Sequence, residues 1–208
     1  MRWEPGSVID VNAAEESVDD NYGTVMKITL LQEDVGKISA DGLVLPVDGQ
    51  ICAIGGTATA KVLKESFARE AEDAEEQIEL YTYAEDDVFR LKPLQHGSSA
   101  VIPGNEVWLH LVVIAAFYHN VDDVVFSQQQ ACDLLTRAIQ SGVRVASRHN
   151  MQSVAMTLMG TTYRVTPEQS ILALTKGLAA VREEAIEIKW CILGDKDFEY
   201  AKRMIFGL

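Results

Sequence analysis

Apolar positions along this chain switch repeatedly between a two-residue and a three-to-four-residue period, the mark of strands alternating with helices. Met26, Ile28 and Leu30 alternate within Thr24–Leu30 and predict a strand. Leu43-Val44-Leu45-Pro46-Val47 is a short apolar run, and Pro46 predicts the strand's end. Gly55-Gly56 then leads into helical spacing at Val62, Leu63 and Phe67, giving strand, glycine turn, helix. Alternation over Ile78–Tyr83 predicts an edge strand, Leu91–Ser98 a loop and Ser99–Ile102 a short strand. Leu109–Phe117 is apolar except for His110, as a strand covered on both faces requires.

The second half repeats the alternation. Ala131, Leu134, Leu135, Ala138 and Ile139 keep helical spacing, and Gly142 is placed to terminate that helix in a left-handed conformation. Ser153–Met159 predicts a strand. Thr166-Pro167-Glu168-Gln169 is a capping box with proline in the first helical position, opening a helix through Ile171, Leu174 and Leu178. Glu187–Leu193 predicts the last strand, and Asp195 is placed to cap a final helix that buries Phe198, Ala201 and Ile205. This order predicts a three-layer α/β/α fold with a mixed, largely parallel sheet, whose ligands belong at loops after the strands' carboxyl ends. Residues 1–23 show no sustained periodicity and read as an acidic tail or irregular edge, leaving 24–208 as one domain.

Charge narrows the choice of partner. The 208 residues carry a net −13. Residues 1–23 set one arginine against six acids, and residues 65–90 set two arginines against ten, which accounts for the whole imbalance. The rest of the chain is neutral, so an anion site within it does not oppose a uniformly negative surface. Nonspecific nucleic-acid binding is disfavoured. No apolar run reaches the roughly 18 residues of a membrane helix, and Arg2-Trp3-Glu4-Pro5 is not a secretory leader. Cys52, Cys132 and Cys191 are isolated, which suggests reduced thiols in a cytoplasmic protein without a cofactor.

Two turns carry candidate chemistry. Gly55-Gly56-Thr57-Ala58-Thr59-Ala60 follows a strand and opens a helix, where free backbone N–H groups and the helix dipole hold anions; a plain turn uses the same residues. Gly160-Thr161-Thr162-Tyr163, with Arg164 beside it, follows another strand and would face the first turn across a ligand, unless the two threonines only bond their own backbone. His96, His110, His119 and His149 lack metal-ligand spacing, and no serine-nucleophile elbow is present.

The order of these elements and several local strings resemble the macro domain family, which binds ADP-ribose and related nucleotides and in part hydrolyses ADP-ribose linkages. Glu33-Asp34-Val35-Gly36-Lys37 through Asp41-Gly42-Leu43-Val44 is similar to the family's opening, which gives Asp34 the role of accepting from the adenine amino group and puts Val35 beside it. Gly55–Val62 resembles the first phosphate loop and Met159–Thr162 the second. Three departures stand out: Asp48 replaces an amide near the terminal ribose, Thr162 replaces a glycine, and Gly194 falls where an aromatic ring usually meets adenine. The resemblance implies binding of ADP-ribose, free or attached to a protein. Two alternatives stay open: a hydrolase or deacetylase-type enzyme acting on ADP-ribose derivatives with Asp48 as its catalytic candidate, and a degenerate interaction module that presents residues 65–90 to a basic partner.

Overall fold

The computed structural model describes residues 25–48, 97–103, 108–117, 127–161 and 165–207. Strand β1 spans Lys27–Leu31, a single 3-10 turn Val35–Lys37, β2 Gly42–Asp48, β3 Ser98–Pro103 and β4 His110–Phe117. Helix α1 follows at Gln128–Arg148, then β5 at Ser153–Met156, α2 at Pro167–Ala179, β6 at Glu187–Cys191 and α3 at Asp195–Phe206. The six strands form one sheet in the order β1-β6-β5-β2-β4-β3. All neighbours are parallel except β3, which runs antiparallel to β4 at the edge. The expected α/β fold with a mixed, largely parallel sheet is what forms.

Strand alternation divides the core. Ile28, Leu30, Val44, Val112, Ile114, Val154, Met156, Ile188 and Trp190 point to one face and pack with the apolar sides of α1, α2 and α3. Burying each large aliphatic side chain there stabilises the fold by about 2 kcal/mol before entropy is counted. The alternate residues Leu43, Leu45, Leu111, Val113 and Ala155 are also buried, so the central strands are covered on both faces as their continuous apolar sequence requires. At the β1–β6 side the second face turns polar: Lys27 Nζ lies 2.9 Å from Glu187 Oε1, and Thr29 Oγ1 donates to the same oxygen at 2.7 Å.

Three local expectations are corrected. Pro46 lies inside β2, opposite Ile114 of β4, because pairing of β2 with β5 stops at Leu43 and the missing N–H disrupts no ladder beyond it. Gly142 does not end α1. It lies buried in mid-helix, where an added Cβ would come within 2.8 Å of Ile114 Cγ2, so its role is close helix-to-sheet packing. The helix runs two turns further, to a His149 cap followed by Asn150 at φ 58°. Asp195 is the first residue of α3 and does not cap it; Gly194 takes the cap position without a side-chain bond.

The capping box at Thr166 forms as expected: Gln169 N donates to Thr166 Oγ1 at 3.3 Å and Thr166 N to Gln169 Oε1 at 3.0 Å. A second box, Ser127 with Gln130, opens α1. Where α1 crosses α2, a Cβ on Gly177 would lie 2.1 Å from Ile139 Cγ2, and Thr136 Oγ1 donates to Ala173 O at 3.1 Å across the crossing. That contact fixes α2, and with it the loop ahead of α2, against the sheet.

Candidate functional site

The connections decide where a ligand can sit. Strands β3 and β4 lie on one side of β2 while β5 and β6 lie on the other, so the chain reverses its progression at β2. Crevices in open α/β sheets form beyond the carboxyl ends of strands at such a reversal. Along that rim stand Asp34 after β1, Ile192–Gly194 after β6, Thr157–Gly160 after β5 and Asp48 at the end of β2. At about 4.8 Å between strands, the rim from β1 to β2 is roughly 14 Å long.

Asp34 is fixed by its own turn. Its Oδ1 accepts from Gly36 N at 2.9 Å, which caps the 3-10 turn and leaves the second oxygen of a half-buried carboxylate for another donor. Val35 is buried and anchors the turn to the protein. Glu33 Oε1 pairs with Lys37 Nζ at 3.2 Å, and that hydrogen bond holds the Glu33 carboxyl below its ordinary value. Behind the turn, burial pushes the Cys191 thiol up to about 12, with the Asp34 and Glu33 carboxylates adding to the effect. Cys191 is therefore a protonated packing residue at neutral pH. Cys132, half-buried on α1, is also raised, first by burial and then by Asp133.

Beside Asp34, β6 runs on into Ile192–Gly194. Ile192 N donates to Leu31 O at 2.9 Å, continuing the β1–β6 ladder, and Gln32 Nε2 donates to Asp195 Oδ1. Between these ties Leu193 stands 66% exposed next to Gly194, an apolar side chain turned to solvent at the rim.

The loop after β5 is held from below. Ser170, on the second turn of α2 and fully buried, donates from Oγ to Met159 O at 2.6 Å and accepts from Met159 N at 3.3 Å. Gly160 follows with φ +86°, a conformation that L side chains resist, and Thr161 is exposed. Gln169 Nε2 donates to Gln128 Oε1 at 3.4 Å, and Lys196 Nζ meets Glu168 Oε1 at 2.9 Å, so the amino ends of the three described helices line this rim. The bond from Lys196 holds Glu168 below its ordinary value and in turn raises Lys196. Capping boxes close the first turns of α1 and α2, whereas no side chain caps α3. Helix dipoles make such a rim favourable for an anion.

Of the residues singled out in the sequence, Asp34, Val35, Gly160, Thr161 and the Asp48 backbone reach this rim. Asp48 pairs with Phe117 after a shift in register, and its side chain lies outside the described residues. So do Gly55, Gly56, Thr57, Ala58, Thr59, Ala60, Thr162, Tyr163 and Arg164. Sequence reasoning missed Ser170, Gln32 and Leu193. A serine at a helical position that should be apolar, between Gln169 and Ile171, is the only trace Ser170 leaves. Among the described residues no three His, Cys, Asp or Glu side chains gather as a metal site, and no helix is long and apolar enough to cross a membrane.

No family model matches the chain, and no curated protein is similar enough to match. Solved structures do match it. The Oceanobacillus iheyensis macrodomain with ADP superimposes with a TM-score of 0.64 at 10% identity, over 84% of this chain and 87% of that one. The Trypanosoma brucei macrodomain in complex with ADP-ribose gives 0.58 at 12% identity, over 86% of this chain and 68% of that one. An alphavirus P23pro-zbd structure gives 0.58 at 16% identity; the match covers 89% of this chain but spans only 24% of the viral one. The fold is therefore the macrodomain fold.

Proposed function

We propose that this chain binds ADP-ribose or a related adenine nucleotide along the carboxyl rim of its sheet. The observation that carries the reading is the placement of Asp34 and Gly160 on the same rim, on either side of the end of β6, one with a carboxylate oxygen beyond its capping bond and the other a glycine at φ +86° with no side chain. The macrodomain fold, seen elsewhere with ADP and with ADP-ribose bound, supports the choice of ligand.

In this reading the second Asp34 oxygen accepts from the exocyclic amino group of adenine. Leu193 supplies an apolar surface to the base where Gly194 offers no ring. The diphosphate lies against the backbone N–H groups of Gly160–Thr162 and Gly56–Ala60, and Asp48 faces the terminal ribose. An ADP-ribosylated protein would present the same group. Isothermal titration with ADP-ribose, AMP and ATP tests the proposal: a saturable heat with ADP-ribose is expected, and no heat from any of the three at high protein concentration ends it.

A further inference from the structure

Away from the rim, α1 and the edge strand β3 enclose a second feature of different character. A groove of about 430 Å³ runs along their seam, lined by Gly97 and Ser99 on one side and by Arg137, Ser141, Arg144 and Arg148 on the other. Those four helical residues are spaced by four, three and four, which puts them on one face of α1. Ser99 Oγ and Ser141 Oγ share a hydrogen bond of 2.7 Å that forms the floor. Gly97 keeps one wall close: a Cβ there would meet Arg137 Cβ at 3.1 Å.

All three arginines are exposed, and none makes an ion pair with a described residue. Asp133, one turn before Arg137, accepts instead from Gln129 Nε2 at 2.8 Å. Three guanidinium groups on one helix face, without an ion-pair partner among the described residues, form a local cationic site in a chain of net charge −13. Among the described residues no aromatic side chain lines the groove, so these residues offer no stacking platform of the kind nucleobases use.

We propose that this groove docks an acidic, extended segment of a partner protein, independently of the rim. Arg137 and Arg148 are eleven residues apart, about 16 Å along the helix axis. Five residues of extended chain span about the same distance. Alternate residues of such a segment recur about every 6.6 Å, close to the single turn that separates Arg144 from Arg148, so two successive carboxylates meet that pair, and Arg137, about 10.5 Å before Arg144 along the axis, is left for an acidic group further along the segment. Among the described strands β3 is outermost, so one of its edges has no described strand beside it, along which an extended backbone can run.

The test is fluorescence polarisation at low ionic strength with a labelled peptide of alternating Glu and Ser, using the whole chain. The peptide should bind saturably, weaken as salt is added, and lose at least about tenfold in affinity when Arg137, Arg144 and Arg148 are all changed to Glu. No saturable binding, or equal binding by the reversed variant, overturns the proposal. Tighter binding of a single-stranded oligothymidylate of equal charge overturns the choice of a protein partner. Should the variant not fold, hydrogen exchange on the unaltered chain decides: peptide-induced protection within residues 137–148 supports the groove, and protection confined elsewhere rejects it.

Discussion

The two ends of the parallel strands treat their polar groups in opposite ways. At the amino ends the turns close on themselves. Asp41 Oδ2 accepts from Gln152 N at 2.7 Å and Ser153 N at 3.0 Å, Ser153 Oγ accepts from Asp41 N at 3.2 Å, and Asp41 O accepts from His110 N at 3.1 Å. One aspartate thus joins β2, β4 and β5. At the carboxyl ends Asp34 spends one oxygen on its own turn, Gly160 stands in a left-handed conformation, Leu193 faces solvent and α3 lacks a side-chain cap. Two aspartates seven residues apart therefore serve different ends: Asp41 holds the sheet together, and Asp34 keeps capacity for a ligand.

The contrast breaks most visibly at its closed end. Asp41→Ala removes a charged acceptor from two backbone donors and should cost about 3 kcal/mol of folding stability, read as a lower denaturant midpoint, while ADP-ribose affinity of the folded fraction stays unchanged. An equal loss of affinity would show that the two ends are not separable. Gly160→Val forces a β-branched residue into a positive φ and should destabilise by about 2 kcal/mol and abolish nucleotide binding as well. Ser170→Ala frees the Met159 loop from below; we expect about 1 kcal/mol in stability and a faster nucleotide off-rate measured by stopped flow.

The smallest effect concerns pH. Burial raises Glu187, but the bonds from Thr29 and Lys27, with the charges of Lys27 and Lys189, outweigh it and hold the carboxyl below its ordinary value. A lowered folded-state pKa contributes stability that is complete above the ordinary glutamate range and is lost as pH falls through the folded value. Melting temperature should therefore drop on acidification below that range. In Glu187→Gln the drop should be shallower, and an identical profile for the two proteins would remove Glu187 from the account.

Elements with a strong period were readable in the chain, because periodicity reports the buried face directly. The β4 run, the α2 capping box and the α1 stripe all form as their spacing demands. Failures arose where a local rule met a tertiary exception. Pro46 was free to stay in β2 only because the pairing of β2 with β5 ends at Leu43, three residues before it, which the chain itself does not reveal. Gly142 looked like a terminator and is a packing contact with Ile114. Asp195 had the right identity for a cap, but its carboxylate is taken by Gln32, 163 residues away in sequence. Asp34 and Gly160 could be named from local strings, whereas Ser170 could not, since its importance lies in a bond to a loop that only the packing of α2 on the sheet brings near.

The account rests on the open end of the strands, and Asp34 tests it most directly. Removing its carboxylate should weaken the 3-10 turn by only about 1 kcal/mol, since it ends a single capping bond. Isothermal titration of ADP-ribose into the unaltered chain and into Asp34→Ala should show saturable binding in the first and at least about tenfold weaker binding in the second, with both proteins folded. Equal affinity in the two folded proteins would contradict the claim that this rim reads the nucleotide.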